Sequence, residues 1–429
     1  MIRYDVAVVG GGPAGLAAAT AAVRRDARVA IVDAAPRLGG QYWRHRPGAE
    51  PAELRQARSA ADHLPNSPVW FVEPGPGSGF RLHSPGGPVR ADQIVLATGA
   101  HDRSLPFPGW TLPGVVTAGG AQALLKGHGV LVGRRVAVAG AGPFLLVVAA
   151  GLAEAGATVV GVFEAGRLRG YAGHPRALSP AKLIEGGHYA RVLARHRVPY
   201  RRGHVVVAAH GDESVEAITV ACGDRQRRIE VDALAISYGF APQLELAVAL
   251  GCDTRLDVDG SLVVAVDVDQ RTSVPGVFAA GEVTGVGGSV LAQLEGGVAG
   301  CAVTGQAVDP RVRRKRNHAR RFAAVMHDVH RPPAWIERLA DDTLVCRCEE
   351  VSYKSLKRAV DLGATDTRAA KLLSRVGMGW CQGRTCGPVV ACLTAHLNGR
   401  APTVADHATF ANRPIAQPVR LGELAEPGS

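Results

Sequence analysis

The hydrophobic residues of this chain come in short blocks, and the blocks repeat in a fixed order. Val6-Ala7-Val8-Val9 is a β-branched run that leads straight into glycines, the pattern of a parallel strand buried on both faces. Residues 16–25 are rich in alanine and predict a helix. Val29–Val32 predicts a second strand, with Asp33 at its end. The order recurs further on. A strand at 134–139 meets Gly140-Ala141-Gly142, an apolar run at 144–153 predicts a helix, and a strand at 158–163 ends on Glu164. Ile94-Val95-Leu96 and Val277–Ala279 predict two more strands that run into small residues. Ala233–Ser237, followed by Tyr238-Gly239, reads as the strand that returns from the second fold to the first. Strands alternating with helices place the chain in the α/β class.

After residue 305 the pattern changes. Arg311-Val312-Arg313-Arg314-Lys315-Arg316 and Arg320-Arg321, interspersed with Val312, Phe322, Val325 and Met326, predict a basic helix with an apolar side. Arg331-Pro332-Pro333 breaks it. Its charge reads as a solvated linker or as a docking surface for an acidic partner subunit. Beyond it come short helices. Ser352 can cap one to about 362, closed by Gly363. Asp366 can cap a second to about 376, closed by Gly377-Met378-Gly379, and Pro388 starts a third.

The glycines have physical tasks. In the first block Gly10 permits a tight turn, Gly12 lets the backbone approach a pyrophosphate, and Gly15 lets helix and strand pack closely. With Pro13 and Ala14 they open a helix whose N-terminus offers N–H groups to phosphate. Asp33 is placed to accept from a ribose hydroxyl. In the second block glycines stand at 140 and 142, but the third small position holds Leu145. That bulk is expected to push the helix from the strand and loosen the phosphate site. Gly140, Gly142 and Glu164 are therefore candidates for a second nucleotide whose identity, or presence, is left open.

Composition narrows the class. The chain has 429 residues, 47% hydrophobic and 20% charged, enough for two or three domains. Net charge is +11, much of it in the basic run, and no nucleic-acid motif accompanies it. The eight cysteines cluster toward the C-terminus; this is not a secreted disulfide framework, and a reducing cytoplasm fits. No signal peptide is expected. The apolar run at 144–153 is shorter than the about 20 residues that span a bilayer, so no transmembrane segment is expected.

Cys346 and Cys348 form one close pair, Cys381 and Cys386 another, with 32 residues between. Zinc and iron–sulfur clusters both take four cysteines. Cys-x-Cys is tighter than usual zinc spacing. The surrounding Cys-Arg-Cys-Glu-Glu-Val and Gly-Met-Gly-Trp-Cys-Gln-Gly-Arg-Thr-Cys resemble the bacterioferritin-associated-ferredoxin-like [2Fe–2S] domain. That resemblance makes Cys346, Cys348, Cys381 and Cys386 the ligands. Cys222, Cys252 and Cys301 are isolated, and Cys392 reads as a core residue. No Cys-x-x-Cys lies in either nucleotide fold, which speaks against disulfide reduction.

Leu38-Gly39-Gly40-Gln41, Ala97-Thr98-Gly99 and Ala280-Gly281-Glu282, taken with the first glycine block, resemble the two-dinucleotide-domain flavoproteins. The resemblance implies FAD held by Gly10, Gly12, Pro13, Ala14, Gly15, Asp33, Gly40, Gln41, Thr98, Gly99, Gly281 and Glu282. Glu282 stands where that family has Asp, and one more methylene makes its contact less secure. The nested arrangement resembles the pyridine-nucleotide:disulfide oxidoreductases. An FAD-binding Rossmann-like domain at 1–115 and 233–305 encloses a nucleotide-binding-like domain at 116–232. A basic helical linker at 306–342, a mainly helical [2Fe–2S] domain at 343–400 and a tail at 401–429 follow.

Nearly the whole chain, to about residue 420, resembles the A-type subunit of the opine oxidases, hydrogen cyanide synthase and D-hydroxyproline dehydrogenases. The resemblance implies one subunit of a hetero-oligomer. In it, a separate flavoprotein subunit oxidises the C–N bond of an amino or imino acid, and this chain passes electrons to an acceptor other than NAD. It leaves no catalytic acid, base or nucleophile to assign here; His101, His174 and His188 read as surface or packing residues. Two rival readings are a self-contained NAD(P)H-dependent flavoprotein reductase and a non-enzymatic electron-carrier scaffold.

Overall fold

The computed structural model describes residues 3–58, 60–75, 79–166, 180–332 and 334–425. His174, Pro333 and the last four residues of the tail lie outside the described residues. The chain divides into two compact units. Met1–His101, Pro242–Ala323 and Ala411–Ser429 form one, and Asp102–Ala241 with Ala324–Phe410 form the other.

The first unit is built on a seven-stranded sheet. Its centre is Arg3–Val9, paired in parallel with Val29–Val32 on one side and Val89–Leu96 on the other. Val277–Ala279 pairs in parallel with Val89–Leu96, with Val277 opposite Ile94. Val6, Val8, Ile31 and Val95 are each at most 2% exposed, as strands covered on both faces require. Helix Pro13–Val23 lacks an amphipathic stripe because most of its alanines are buried. Helix Ser289–Val303 joins the same core through Ala292, Ala299, Ala302 and Val303.

In the second unit five strands run parallel in the order Tyr200–Arg202, Thr158–Glu164, Arg135–Gly140, Ala233–Ser237, Val115–Thr117. Ala233–Ser237 is thus a strand of the nested sheet, not the expected return to the first fold. Both sheets have a buried parallel centre, so a five-residue apolar run does not say which will take it. The glycine turn beside it does. A Cβ on Gly140 would fall 1.7 Å from Ser237 O, so only glycine at 140 lets the strand lie there, and Ala141 N donates to Ser237 O at 2.8 Å.

The capping expectations for the cysteine domain match the structure. Ser352 Oγ accepts from Ser355 N at 3.2 Å at the start of helix Tyr353–Asp361. Asp366 Oδ1 accepts from Ala369 N at 2.8 Å at the start of Thr367–Ser374, and Pro388 sits in the first turn of Gly387–Leu397. The second helix ends two residues early, because Arg375 takes a left-handed conformation. The core of this domain is continuous with the nested fold. Val345, Leu356, Val376, Val390 and Phe410 share one buried cluster with Ala141 and Tyr238, and Trp110 Nε1 donates to Leu344 O at 2.6 Å.

The basic helix Pro310–Val329 is less solvated than a linker reading implies. Arg313, Arg316 and Arg320 recur at helical spacing and so share a face. Arg313 pairs with Asp269. Arg320 Nη2 donates to Glu295 Oε1 at 2.5 Å and Nη1 to Gly285 O at 3.0 Å. Arg316 Nε lies 3.6 Å from the same carboxylate, which is fully buried. Removing one partner of such a buried pair typically costs about 3–5 kcal/mol.

Candidate cofactor sites

The first glycine loop gathers most of the flavin candidates. Gly12 is extended (φ −78°, ψ −174°), Pro13 begins the helix, and no side chain caps its first turn among the described residues, so those N–H groups face outward for an anion. A Cβ on Gly15 would lie 1.9 Å from Gly10 O; helix and strand touch there. Asp33, 8% exposed, accepts from Gly11 N at 2.9 Å and Ala35 N at 3.0 Å. Burial raises its carboxyl above the usual range, and those two N–H groups oppose the rise. Gly40 comes close enough to Gly12 that a Cβ would sit 2.8 Å from its Cα. Gln41 Oε1 accepts from Arg44 Nε at 3.1 Å.

Thr98 and Gly99 follow the strand Val89–Leu96 and are tied to a later segment. Thr98 Oγ1 donates to Gln243 O at 2.7 Å, and Gln243 N donates to Gly99 O at 3.0 Å. Gly281 packs on Ala14: a Cβ there would be 2.8 Å from Ala14 Cβ. Gly281 N donates to the buried Glu295 at 3.2 Å. Glu282 uses its extra methylene to reach the loop before helix Ser289–Val303, accepting from Gly288 N at 2.8 Å and Gly287 N at 3.2 Å. Burial pushes its carboxyl up to about 7, against the pull of those two bonds. An uncapped helix N-terminus, an acid at the neighbouring strand end and a closely packed third glycine together fit a dinucleotide pyrophosphate and ribose.

The nested loop repeats this order with different contacts. Where Gly12 is extended at φ −78°, its counterpart Gly142 has φ +108°. Leu145 is fully buried, in a core with Val136, Val138, Val148 and Leu152; the fold absorbs its bulk. Glu164 is also fully buried. It accepts from Gly142 N at 3.1 Å and Gly166 N at 3.0 Å, and His330 Nδ1 lies 3.3 Å from Oε1. His330, just past the basic helix, carries no sequence signal for this contact. Ala141, Ala165, Ile236 and Tyr238 at the strand ends belong to the cysteine domain's core.

The four candidate ligand cysteines meet in two pairs, Cys346 with Cys386 and Cys348 with Cys381. Hydrogen bonding from Cys386 pulls the Cys346 thiol down to about 6. Burial opposes this, and the N–H groups of Gly377, Glu349 and Cys348 assist it. Cys386, bonded to Cys346 and buried, is held protonated well above the usual thiol range. The N–H groups of Thr385 and Gly383 face Cys381. Among the described residues no group of three or more His, Cys, Asp or Glu is gathered as for a single metal ion. Paired thiols ringed by backbone N–H donors fit an iron–sulfur cluster, whose sulfurs take such bonds. Cys346 and Cys386 are buried and Cys348 is exposed.

Among the described residues no helix is long and apolar enough to cross a membrane. Residues 4–301 match the family described as Pyridine nucleotide-disulphide oxidoreductase, and residues 344–394 match the BFD-like [2Fe-2S] binding domain. The A-type subunit of opine oxidase from Agrobacterium tumefaciens is 32% identical over 98% of this chain and 91% of that protein. The HcnB subunit of hydrogen cyanide synthase from Pseudomonas aeruginosa is 34% identical over 88% of this chain and 90% of that protein. L-proline dehydrogenase from P. horikoshii has the same fold, with a TM-score of 0.73 at 22% identity over 99% of this chain and 80% of that one. The cofactors that go with these two matched regions are FAD and a [2Fe–2S] cluster. The chain therefore belongs to the pyridine nucleotide-disulphide oxidoreductase family, among members that carry a C-terminal BFD-like [2Fe–2S] domain and are related to the A-type subunits of the opine oxidases.

Proposed function

We propose that this chain is the FAD- and [2Fe–2S]-containing subunit of a heteromeric dehydrogenase or oxidase acting on the C–N bond of an amino or imino acid. Its partner is a second flavoprotein subunit that binds the substrate, of the D-hydroxyproline, opine or glycine type. The acceptor is not NAD. The observation that carries this reading is the coexistence of the two sites in one chain. One is a glycine loop whose acid takes backbone N–H groups, and the other is four thiols in two pairs. FAD supplies two-electron chemistry and the cluster one-electron chemistry.

The chain's own residues bind and orient. The first turn after Gly12 holds the pyrophosphate, Asp33 the ribose, and Glu282 braces the start of helix Ser289–Val303. Cys346, Cys348, Cys381 and Cys386 hold the cluster. Cys348 is exposed, and Trp380, beside Cys381, is 84% exposed, which leaves the cysteine loops open to an acceptor. Hydride from NAD(P)H is disfavoured because Glu164 is already engaged and the nested strand ends are covered by the cysteine domain's core. Opine oxidase, hydrogen cyanide synthase and sarcosine oxidase subunits among the relatives support the substrate class. Co-expression with a candidate flavoprotein partner subunit, then dye reduction with a panel of amino and imino acids, tests it. Reduction dependent on both subunits is expected; reduction by this chain alone contradicts it.

A further inference from the structure

Helix Val404–Ala411 lies beyond the matched [2Fe–2S] region, which ends at 394. Its Phe410 is 5% exposed and its ring rests against three glycines of the cysteine loops. A Cβ added to Gly377 would fall 2.2 Å from the ring, one on Gly383 2.4 Å, and one on Gly387 2.8 Å. All three positions can hold only glycine while the ring is there. The helix itself is pinned. Asp406, 3% exposed, accepts from Arg400 Nη1 at 2.6 Å and Nη2 at 2.9 Å, from Thr403 N at 2.9 Å and from Thr367 Oγ1 at 3.1 Å. Lys371 Nζ stands 5.6 Å from the centre of the Phe410 ring.

Two of those glycines also face sulfur. The N–H group of Gly377 lies beside Cys346 and that of Gly383 beside Cys381, one cysteine from each pair. Both glycines are left-handed, at φ +75° and +77°, a conformation with no side chain of its own to hold it in place. The Phe410 ring packs directly against both.

We infer that Phe410 is a positioning residue for the [2Fe–2S] site: its ring holds Gly377 and Gly383 so that their N–H groups bond the sulfurs of Cys346 and Cys381, and this raises the cluster's reduction potential. Bonds to sulfur favour the more negative, reduced form. The inference rests on the four cysteines being the cluster's ligands.

The test uses the full chain in complex with its partner, in wild-type form and with Phe410→Leu, Phe410→Ala and Phe410→Tyr. Iron and sulfide content, visible spectrum, midpoint potential and amide exchange at Gly377 and Gly383 are read on the same samples. Phe410→Tyr should behave as wild type. Phe410→Leu and Phe410→Ala should keep the cluster, exchange faster at both glycines, and reduce less readily by roughly tenfold, about 59 mV for a one-electron couple. A full cluster with an unchanged or more positive potential in both overturns the inference. So does unchanged exchange at the two glycines, a readout that does not need the cluster. A wild type holding no iron and sulfide overturns the ligand reading instead.

Discussion

The chain contains the same local pattern twice, and the two copies are put to different uses. Strand, glycine turn, helix, strand and acid occur at 3–33 and at 135–164. In the first, the third small position is Gly15 and the helix meets the strand backbone. In the second that position is Leu145, whose side chain fills the nested core. Asp33 accepts from two backbone N–H groups, whereas Glu164 has two and His330 besides. The second copy's strand ends join the core of the cysteine domain. The difference teaches that a dinucleotide pattern specifies a fold first; the ligand depends on what else the chain brings to the strand ends.

Exchanging the distinguishing residues breaks the comparison most directly. Gly15→Leu places a side chain where even a Cβ is 1.9 Å from Gly10 O, so the purified protein should lack flavin absorption altogether while iron and sulfide content stays. Flavin at the wild-type level would mean that the third glycine does not distinguish the copies. Asp33→Asn should weaken FAD binding by about 10- to 100-fold, the worth of one or two charge-assisted bonds, read by equilibrium dialysis. Glu164→Gln, the matched change in the nested copy, should leave flavin content where it was. Leu145→Ala should have the least effect on flavin, none measurable, while lowering stability by about 2–5 kcal/mol through a core cavity. Chemical denaturation reads that loss. An unchanged midpoint would show that Leu145 is not the core residue described.

Much of this was legible in the sequence because it is local. Glycine spacing, the capping residues Ser352 and Asp366, and Pro388 at a helix start act within a few residues, and their patterns survive in one dimension. The cysteines close in sequence, Cys346 with Cys348 and Cys381 with Cys386, were legible for the same reason, whereas the pairs that meet, Cys346 with Cys386 and Cys348 with Cys381, join distant loops and were not. What the sequence did not disclose depends on contacts between distant segments. Ala233–Ser237 looks equally at home among the buried parallel strands of either sheet until Gly140 is seen beside Ser237. Arg313, Arg316 and Arg320 read as solvated charge because their partners, Asp269 and Glu295, precede them by 44 residues and by 21 and 25 (313 − 269, 316 − 295 and 320 − 295). His330 and Phe410 carry no motif. Each matters only for the group it reaches, a carboxylate at 164 and three glycines at 377, 383 and 387.

Under the proposed function, electrons enter this chain from a partner's substrate and not from a nicotinamide in the nested fold. Anaerobic titration of the purified complex with NADH and then NADPH, followed at the flavin's visible absorption, tests it most directly. The account predicts no bleaching by either nucleotide and rapid bleaching on adding the amino or imino acid found in the dye screen. Rapid bleaching by a reduced nicotinamide alone would contradict it.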